Sequence, residues 1–297
     1  VLQLDHLPLG VSDVDAIRGH LGRLGFTSTA NGVCRWTLQE RAHTARAISV
    51  VFRRGYLDLI EIRDPAWDQH LGSSQLYGNG IASSGVVLSS SSVEESRMTL
   101  SAGGVGCDDL YTIHRELPGA HPPVIRYDIF SLRERGLPFA VIEDSAPAAM
   151  RTERWLRHPN SATGVRCVHL RVPALQPWLA RLAVILGRKP DSNTSARIDL
   201  GAASLVVHEE PVDSYLSTVS RLLPQRDRAT LLAIEFAVAD MDATRSALEQ
   251  GGIPSLPLSD GIGVEPSAGL GCGLVFAEAG PMPSSIASRS IGTKGAR

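Results

Sequence analysis

A handful of side chains stand where this sequence could do chemistry. His6 lies in the apolar stretch Leu4–Val11 and could serve as a metal ligand or general base; the ordinary role of such a histidine is a half-buried, hydrogen-bonded ring. Asp58 sits between Leu57 and Leu59. A carboxylate buried there without a partner would be costly, so a partner is expected: a metal, His6 or an arginine such as Arg53. Glu61 and Glu143, near the ends of two apolar stretches, could form a carboxylate pair for proton transfer, or could stand at solvent-facing strand ends. Arg126 and Tyr127 could orient an anionic or phenolic ligand, and Trp36 and Phe139 could stack on a flat one; exposure to solvent and core packing are the commoner fates of such residues.

Other chemistries are absent. The four cysteines, Cys34, Cys107, Cys167 and Cys272, are far apart and form no C-x-x-C pair, so they read as reduced thiols packed as small hydrophobes. Gly103-Gly104-Val105-Gly106 and Gly269-Leu270-Gly271-Cys272-Gly273 do not lie between a strand and the helix that would receive phosphates, and no nucleotide cofactor is expected. Ser89–Ser92 is a polar loop and helix cap, and no G-x-S-x-G is present. The net charge of −2 argues against nucleic acid as a partner. No apolar run approaches the roughly 18 residues of a membrane span, and no signal-like segment opens the sequence, which predicts a cytoplasmic protein.

The elements that must position these residues repeat along the 297 residues. The first unit reads as a strand over Leu4–Val11, a cap at Ser12 or Asp13, a helix over Val14–Leu24 with Ile17, Leu21 and Leu24 on one face, and a stop at Gly25. Strands follow near Cys34–Leu38 and Ala45–Phe52, and Gly55–Pro65 closes the unit. The second unit opens at Gly85–Leu88, carries a helix over Val93–Ala102 and middle strands near Asp109–Glu116 and Val124–Phe130, and closes with Leu137–Asp144. The third opens at Val165–Val172, has a helix over Leu175–Leu186, and closes with Ala203–Pro211. The fourth opens at Leu231–Val238 and closes at Gly273–Glu278. One βαβββ unit cannot bury both its sheet face and its helix, so the units should pack in pairs. The fold class is α+β: residues 1–149 form one domain, 150–163 a linker, 164–282 a second domain, and 283–297 a tail expected to be disordered.

These features resemble the glyoxalase-like branch of the vicinal-oxygen-chelate superfamily. The opening Leu4-Asp5-His6-Leu7, the Val11-Ser12-Asp13-Val14-Asp15 turn into the helix, and Leu24-Gly25-Phe26 are similar to that family's first strand and helix. Tyr56-Leu57-Asp58-Leu59-Ile60-Glu61 is similar to its closing strand. Leu137-Pro138-Phe139 and His158-Pro159-Asn160-Ser161-Ala162-Thr163-Gly164 are similar to segments of larger, duplicated glyoxalase-like proteins.

The resemblance implies paired units whose sheets curl around a cavity, with a divalent metal (Fe, Zn, Ni or Mn) held from the first and last strands. The implied positions are His6, Asp58, Gly85 and Ala140 in the first pair, of which only His6 and Asp58 could bind a metal. In the second pair they are Cys167, Ser204, Ala233 and Val275. A shift of two residues keeps the strand face and brings in His169 and Glu235, which could face one another across the second cavity. The first reading is thus an enzyme acting on a small oxygenated metabolite in the N-terminal cavity, with His6 and Asp58 at a metal and Glu143 as a base. The alternative is a metal-free, non-catalytic binder that sequesters a small molecule. In either reading the sheets could pair within one chain or between two chains of a homodimer.

Overall fold

The structure is a computed structural model that describes residues 2–38, 40–62, 81–83, 85–118, 124–133, 139–143, 150–188, 195–210, 214–223 and 229–279. The tail 283–297 and Leu137-Pro138 lie outside the described residues.

The first module forms for local reasons. β1 (Gln3–Val11) runs into α1 (Val14–Arg23), and of the two cap candidates it is Asp13 that accepts the free N–H groups of Asp15 and Ala16, at 2.8 and 3.3 Å. Val14, Ile17 and Leu21 make the buried stripe of this helix. The chain leaves it through Gly25 at φ 77°, where a Cβ would also lie 2.7 Å from that of Asn160, so two constraints require glycine there. β2 (Gly32–Leu38), β3 (Arg41–Val51) and β4 (Tyr56–Glu61) complete the module.

The second module contains β5 (Ile81–Ser83), β6 (Val86–Ser90), α2 (Val93–Ala102), β7 (Tyr111–Glu116), β8 (Val124–Ser131) and β9 (Phe139–Glu143). The strands run in the order β4-β3-β2-β7-β8-β9-β6-β1-β5, and β1 also pairs with β4, so this sheet closes on itself as a ring. The two modules meet at two seams, β2 with β7 and β1 with β6.

After α3 (Glu153–Leu156) the second sheet is built from β10 (Ala162–Arg171), β11 (Ser195–Asp199), β12 (Ser204–His208), β13 (Thr230–Val238), β14 (Leu256–Leu258), β15 (Gly261–Val264) and β16 (Gly273–Glu278). Its order is β11-β12-β10-β13-β16-β15-β14, and among the described residues it stays open. α4 (Leu175–Leu186) follows β10, α5 (Ser214–Leu222) follows β12, and α6 (Met241–Gln250) follows β13. The α4 boundaries match the sequence reading, although Ala174 cannot cap; instead Glu209, just past β12, accepts the Leu175 N–H at 3.0 Å. The fourth module repeats the first in full. In the third, two strands rather than three follow the helix among the described residues, and α5 is an element the repeat does not predict.

Alternation divides each strand into two faces. Leu7, Leu9, Leu57 and Leu59 of the ring, and Val168, Leu170, Leu205, Val207, Ile234 and Phe236 of the open sheet, all belong to one continuous core shared with the helices. The two sheets therefore present their helix-bearing faces to each other. The helices touch in pairs: a Cβ on Gly251, after α6, would meet the Arg23 carbonyl at the end of α1, and Arg181 of α4 donates to the Gly104 carbonyl past α2 at 2.9 Å.

The segment read as a linker is a fastened joint. His158 accepts the Thr27 N–H at Nδ1 (3.1 Å), and its Nε2 donates to the Val51 carbonyl (3.1 Å). Burial pushes its pKa down to about 4, which keeps the ring neutral and Nδ1 able to accept. Asn160, fully buried, donates from its side chain to the Leu24 carbonyl (2.8 Å) and from its backbone to Gly25 (3.0 Å), while Thr244 of α6 donates to the Asn160 carbonyl (2.7 Å). Phe26, Phe52, Phe236 and Phe276 pack around this joint. Among the described residues, no helix is long and apolar enough to cross a membrane.

Candidate functional site

Each sheet has a second face, turned away from the core shared with α1, α2, α4 and α6, and the candidate residues separate between these two inner faces. Inside the ring, Asp58 of β4 is buried, as its setting in an apolar strand demands, and its partner is Arg115 of β7 rather than Arg53. Arg115 Nη1 donates to Asp58 Oδ1 at 2.9 Å, and Ser49 Oγ donates to the same oxygen at 2.7 Å. The guanidinium is 1% exposed. It fits because β2 begins with Gly32, where a Cβ would lie 2.8 Å from Arg115 Nε. Burial opposes the charge on Arg115, but Asp58 beside it holds the guanidinium protonated. Burial also pushes the Tyr56 and Tyr127 phenols up and the Cys34 thiol to about 12, so these neighbours stay neutral.

His6 lies on the same inner face, stacked on Tyr56 with ring centroids 4.4 Å apart, and its Nδ1 is bonded to Asp5 Oδ1 at 2.6 Å. Trp36, also inward, stacks on His43 at 5.3 Å. Apolar residues fill the rest of the interior, among them Val51, Val87, Ile125, Tyr127 and Ile142. This donor set does not fit a divalent metal. Asp58 is already neutralised by a cation that cannot give up its proton, and the described residues of the ring bring no third His, Cys, Asp or Glu to it.

Four further candidates point away from the interior. Phe139 is buried in the helix-side core, while its neighbours Ala140 and Ile142 face inward. Arg126 is exposed on the outer face and pairs with Asp128 at 3.2 Å, leaving Tyr127 to face inside. Glu143 is exposed at the end of β9, and Glu61, its counterpart on β4, is buried on the helix side against Arg46 at 3.4 Å. The two carboxylates thus both leave the inner face, as the strand alternation from Asp58 and Ala140 predicts.

The open sheet gathers what the ring does not. Cys167 and His169 lie two residues apart on β10, and Glu235 lies directly across from Cys167 on β13. The opposite number of His169 is Ala233, whose small side chain leaves room for the imidazole. His169 Nε2 stands 3.5 Å from Glu235 Oε2, and the donor atoms of Cys167, His169 and Glu235 all lie within 4.8 Å of one another. Among the described residues this is where three such donors converge.

The surroundings hold each of the three. His208 of β12 shares a 3.2 Å hydrogen bond with His169 Nδ1 and stacks on its ring. Arg166 takes the other Glu235 oxygen, Oε1, at 3.2 Å. Arg197 of β11 reaches Cys167 Sγ at 4.0 Å. Burial works against a charged His169, but hydrogen bonds and charge from Cys167 and Glu235 outweigh it and lift its pKa to about 9. Burial likewise works against ionised Glu235, yet the His169 hydrogen bond and the Arg166 charge keep its carboxyl below the usual range. Cys167 is buried, while His169 and Glu235 keep 12% and 15% of their side chains exposed, so the group is reached from its His169–Glu235 side. α5 covers the neighbouring part of this face: Arg171 donates to Ser220 at 2.9 Å, and Tyr215 sits where Gly263 and Gly273 carry no side chain.

Arg115, Arg166, Arg197 and His208 do not figure in the sequence reading. For Arg115 a signal existed: in Tyr111–Arg115 it falls on the same alternation as Tyr111 and Ile113, the apolar face of its strand.

Residues 4–186 match the family described as a glyoxalase-like domain. No curated protein matches the sequence. Among solved structures, a hypothetical protein from Staphylococcus aureus superposes with a TM-score of 0.62 at 8% identity, covering 94% of this chain and 100% of that one. A fusion of a xylose isomerase-like TIM barrel with a 4-hydroxyphenylpyruvate dioxygenase gives 0.57 at 10% identity, covering 95% of this chain and 50% of the fusion. A variant of 4-hydroxymandelate synthase from Streptomyces coelicolor gives 0.54 at 12% identity, covering 95% of each chain. At such identities the likeness is one of fold.

Proposed function

The chain belongs to the glyoxalase-like domain family, folded as two sheets of the vicinal-oxygen-chelate type, and from that premise we propose that it acts on a small oxygenated metabolite at the inner face of the C-terminal sheet, with a divalent metal held by Cys167, His169 and Glu235. The carrying observation is the convergence of these three donors within 4.8 Å. It moves the expected centre from the N-terminal cavity to the other half of the chain.

The donor set fits the group. A thiolate, an imidazole and a carboxylate suit Zn, Fe or Ni better than Mn, and three protein donors leave positions open for a ligand. When bound, such an ion supplies Lewis-acid polarisation of neighbouring substrate oxygens. The chain's own residues do the rest. His208 fixes the orientation of the His169 ring through Nδ1, leaving Nε2 turned towards Glu235. Arg166 holds Glu235 by Oε1, so that Oε2 faces the imidazole. The buried wall around Cys167 limits water at the thiol.

The test is a titration of the purified, metal-stripped protein with Co²⁺, whose thiolate charge-transfer band reports Cys167 directly. One site is expected, with affinity lowered about tenfold or more in Cys167→Ser, His169→Ala and Glu235→Gln. A protein that takes up no ion, and whose ligand binding ignores His169→Ala, ends this reading. The second reading, a metal-free binder, is favoured by one observation: the Asp58 carboxylate of the N-terminal ring is already closed by Arg115. Steady turnover of any bound compound excludes it as the whole account.

A further inference from the structure

The charges around the Cys167–His169–Glu235 group are unbalanced, and the imbalance has a direction. Two arginines border one carboxylate. Arg166 is committed to Glu235, with a second, longer contact to the Glu278 carbonyl at 3.4 Å. Arg197 is not committed in that way. It stands exposed on the inner face of β11, touches Cys167 Sγ at 4.0 Å and Ser204 Oγ at 3.3 Å, and has no carboxylate within ion-pairing distance among the described residues. Asp199, two residues along the same strand face, accepts the Gly201 N–H at 2.8 Å. A planar guanidinium offers five N–H donors in a fork that matches a carboxylate edge to edge, and two long contacts leave most of that fork unused.

We infer that Arg197 is the anion anchor of this site and that the molecule it takes carries a small carboxylate. The inference rests on the reading of Cys167, His169 and Glu235 as the working centre. The chemistry is consistent on both sides of that centre. A thiolate and a carboxylate together would cancel a divalent cation, and the two guanidinium groups then stand in excess, so the site favours an anionic molecule over a neutral one. Arg197 would hold the carboxylate beside the three-donor group, because Arg197 touches the Cys167 donor atom itself. A bidentate grip also sets orientation, which makes Arg197 a determinant of specificity.

The experiment is a ligand-detected NMR titration of the full chain with pyruvate and with hydroxyacetone, its neutral counterpart that keeps adjacent oxygens. It is run at fixed ionic strength, first metal-stripped and then with Zn²⁺ added, on the unaltered protein, Arg197→Ala, Arg197→Lys and the remote Arg245→Ala. The expected result is an approximately tenfold or greater loss of pyruvate affinity in Arg197→Ala. Arg197→Lys should recover part of it, and Arg245→Ala should lose none. Hydroxyacetone should not distinguish the variants, and Zn²⁺ should still bind Arg197→Ala. If Zn²⁺ does not bind but pyruvate still requires Arg197, the anchor stands and the metal reading falls. If pyruvate affinity ignores Arg197→Ala, or if pyruvate binds in neither state, the anchor is overturned, and the metal reading stands or falls on Zn²⁺ uptake alone.

Discussion

The two inner faces pose the same physical problem and solve it in opposite ways. Each places a carboxylate on a strand among apolar neighbours, Asp58 in the ring and Glu235 in the open sheet. Asp58 receives a guanidinium that is 1% exposed, whereas Glu235 receives an imidazole and a half-exposed arginine. A guanidinium keeps its proton at any pH a protein meets, so the Asp58–Arg115 pair stays closed to other chemistry. An imidazole can give up its proton and become a ligand, so the Glu235–His169 pair can change partners. The choice of cation beside a buried carboxylate thus separates a half built to hold its shape from the half in which we propose binding.

The comparison breaks most visibly at Arg115. Arg115→Leu leaves Asp58 buried without its cation and should cost on the order of 3–5 kcal/mol of stability, measured by urea denaturation. The double variant Arg115→Leu with Asp58→Leu should recover much of that loss. If the single change costs under about 1 kcal/mol, the ring interior is not the rigid half described above.

A somewhat smaller effect is expected at the joint that fastens the ring to the second sheet. His158 has a folded pKa of about 4, below the ordinary histidine value of 6.5. Protonation therefore favours the unfolded chain. The stability present above pH 6.5 should be lost as pH falls towards 4, by about 3 kcal/mol in all. Urea midpoints from pH 7.5 to 4 check this, and His158→Gln should flatten this component of the profile. A profile identical in the variant would remove His158 as the acid-sensitive element.

The smallest stability effect should come from the arginine of the open sheet. Arg166 is 44% exposed, so Arg166→Ala should change stability by less than about 1 kcal/mol. Because it frees Glu235 Oε1, it should weaken Co²⁺ binding about tenfold. A large stability loss with unchanged Co²⁺ affinity would make Arg166 a structural cation like Arg115 and erase the contrast between the halves.

Much of the framework was legible without the structure. The Asp13 cap, the Ile17–Leu21 stripe, the Gly25 stop and the α4 boundaries are written in neighbouring residues, and hydrogen bonds and burial follow from them within a turn or two. Face assignments carried equally well along one strand, which is why Glu61 and Glu143 leave the inner face together. What failed to show was pairing between distant elements. Arg53 was a reasonable partner for Asp58 by proximity in sequence, yet Arg115 arrives from another module through the β2–β7 seam. The His158–Asn160 joint likewise reads as a linker until Thr27, Val51 and Thr244 come to it from three other elements.

The sequence by itself determined which elements form, which face of each strand is apolar, and that a carboxylate buried at position 58 must have a partner. Each of these follows from periodicity, capping and desolvation, which act over a few residues. Only the tertiary structure decided which cation answers which carboxylate, and so which half can work as a site. That depends on cross-strand register, where a slip of one residue turns every side chain to the other face. The setting of Cys167 opposite Glu235, with His169 beside small Ala233, is a property of β10 lying against β13.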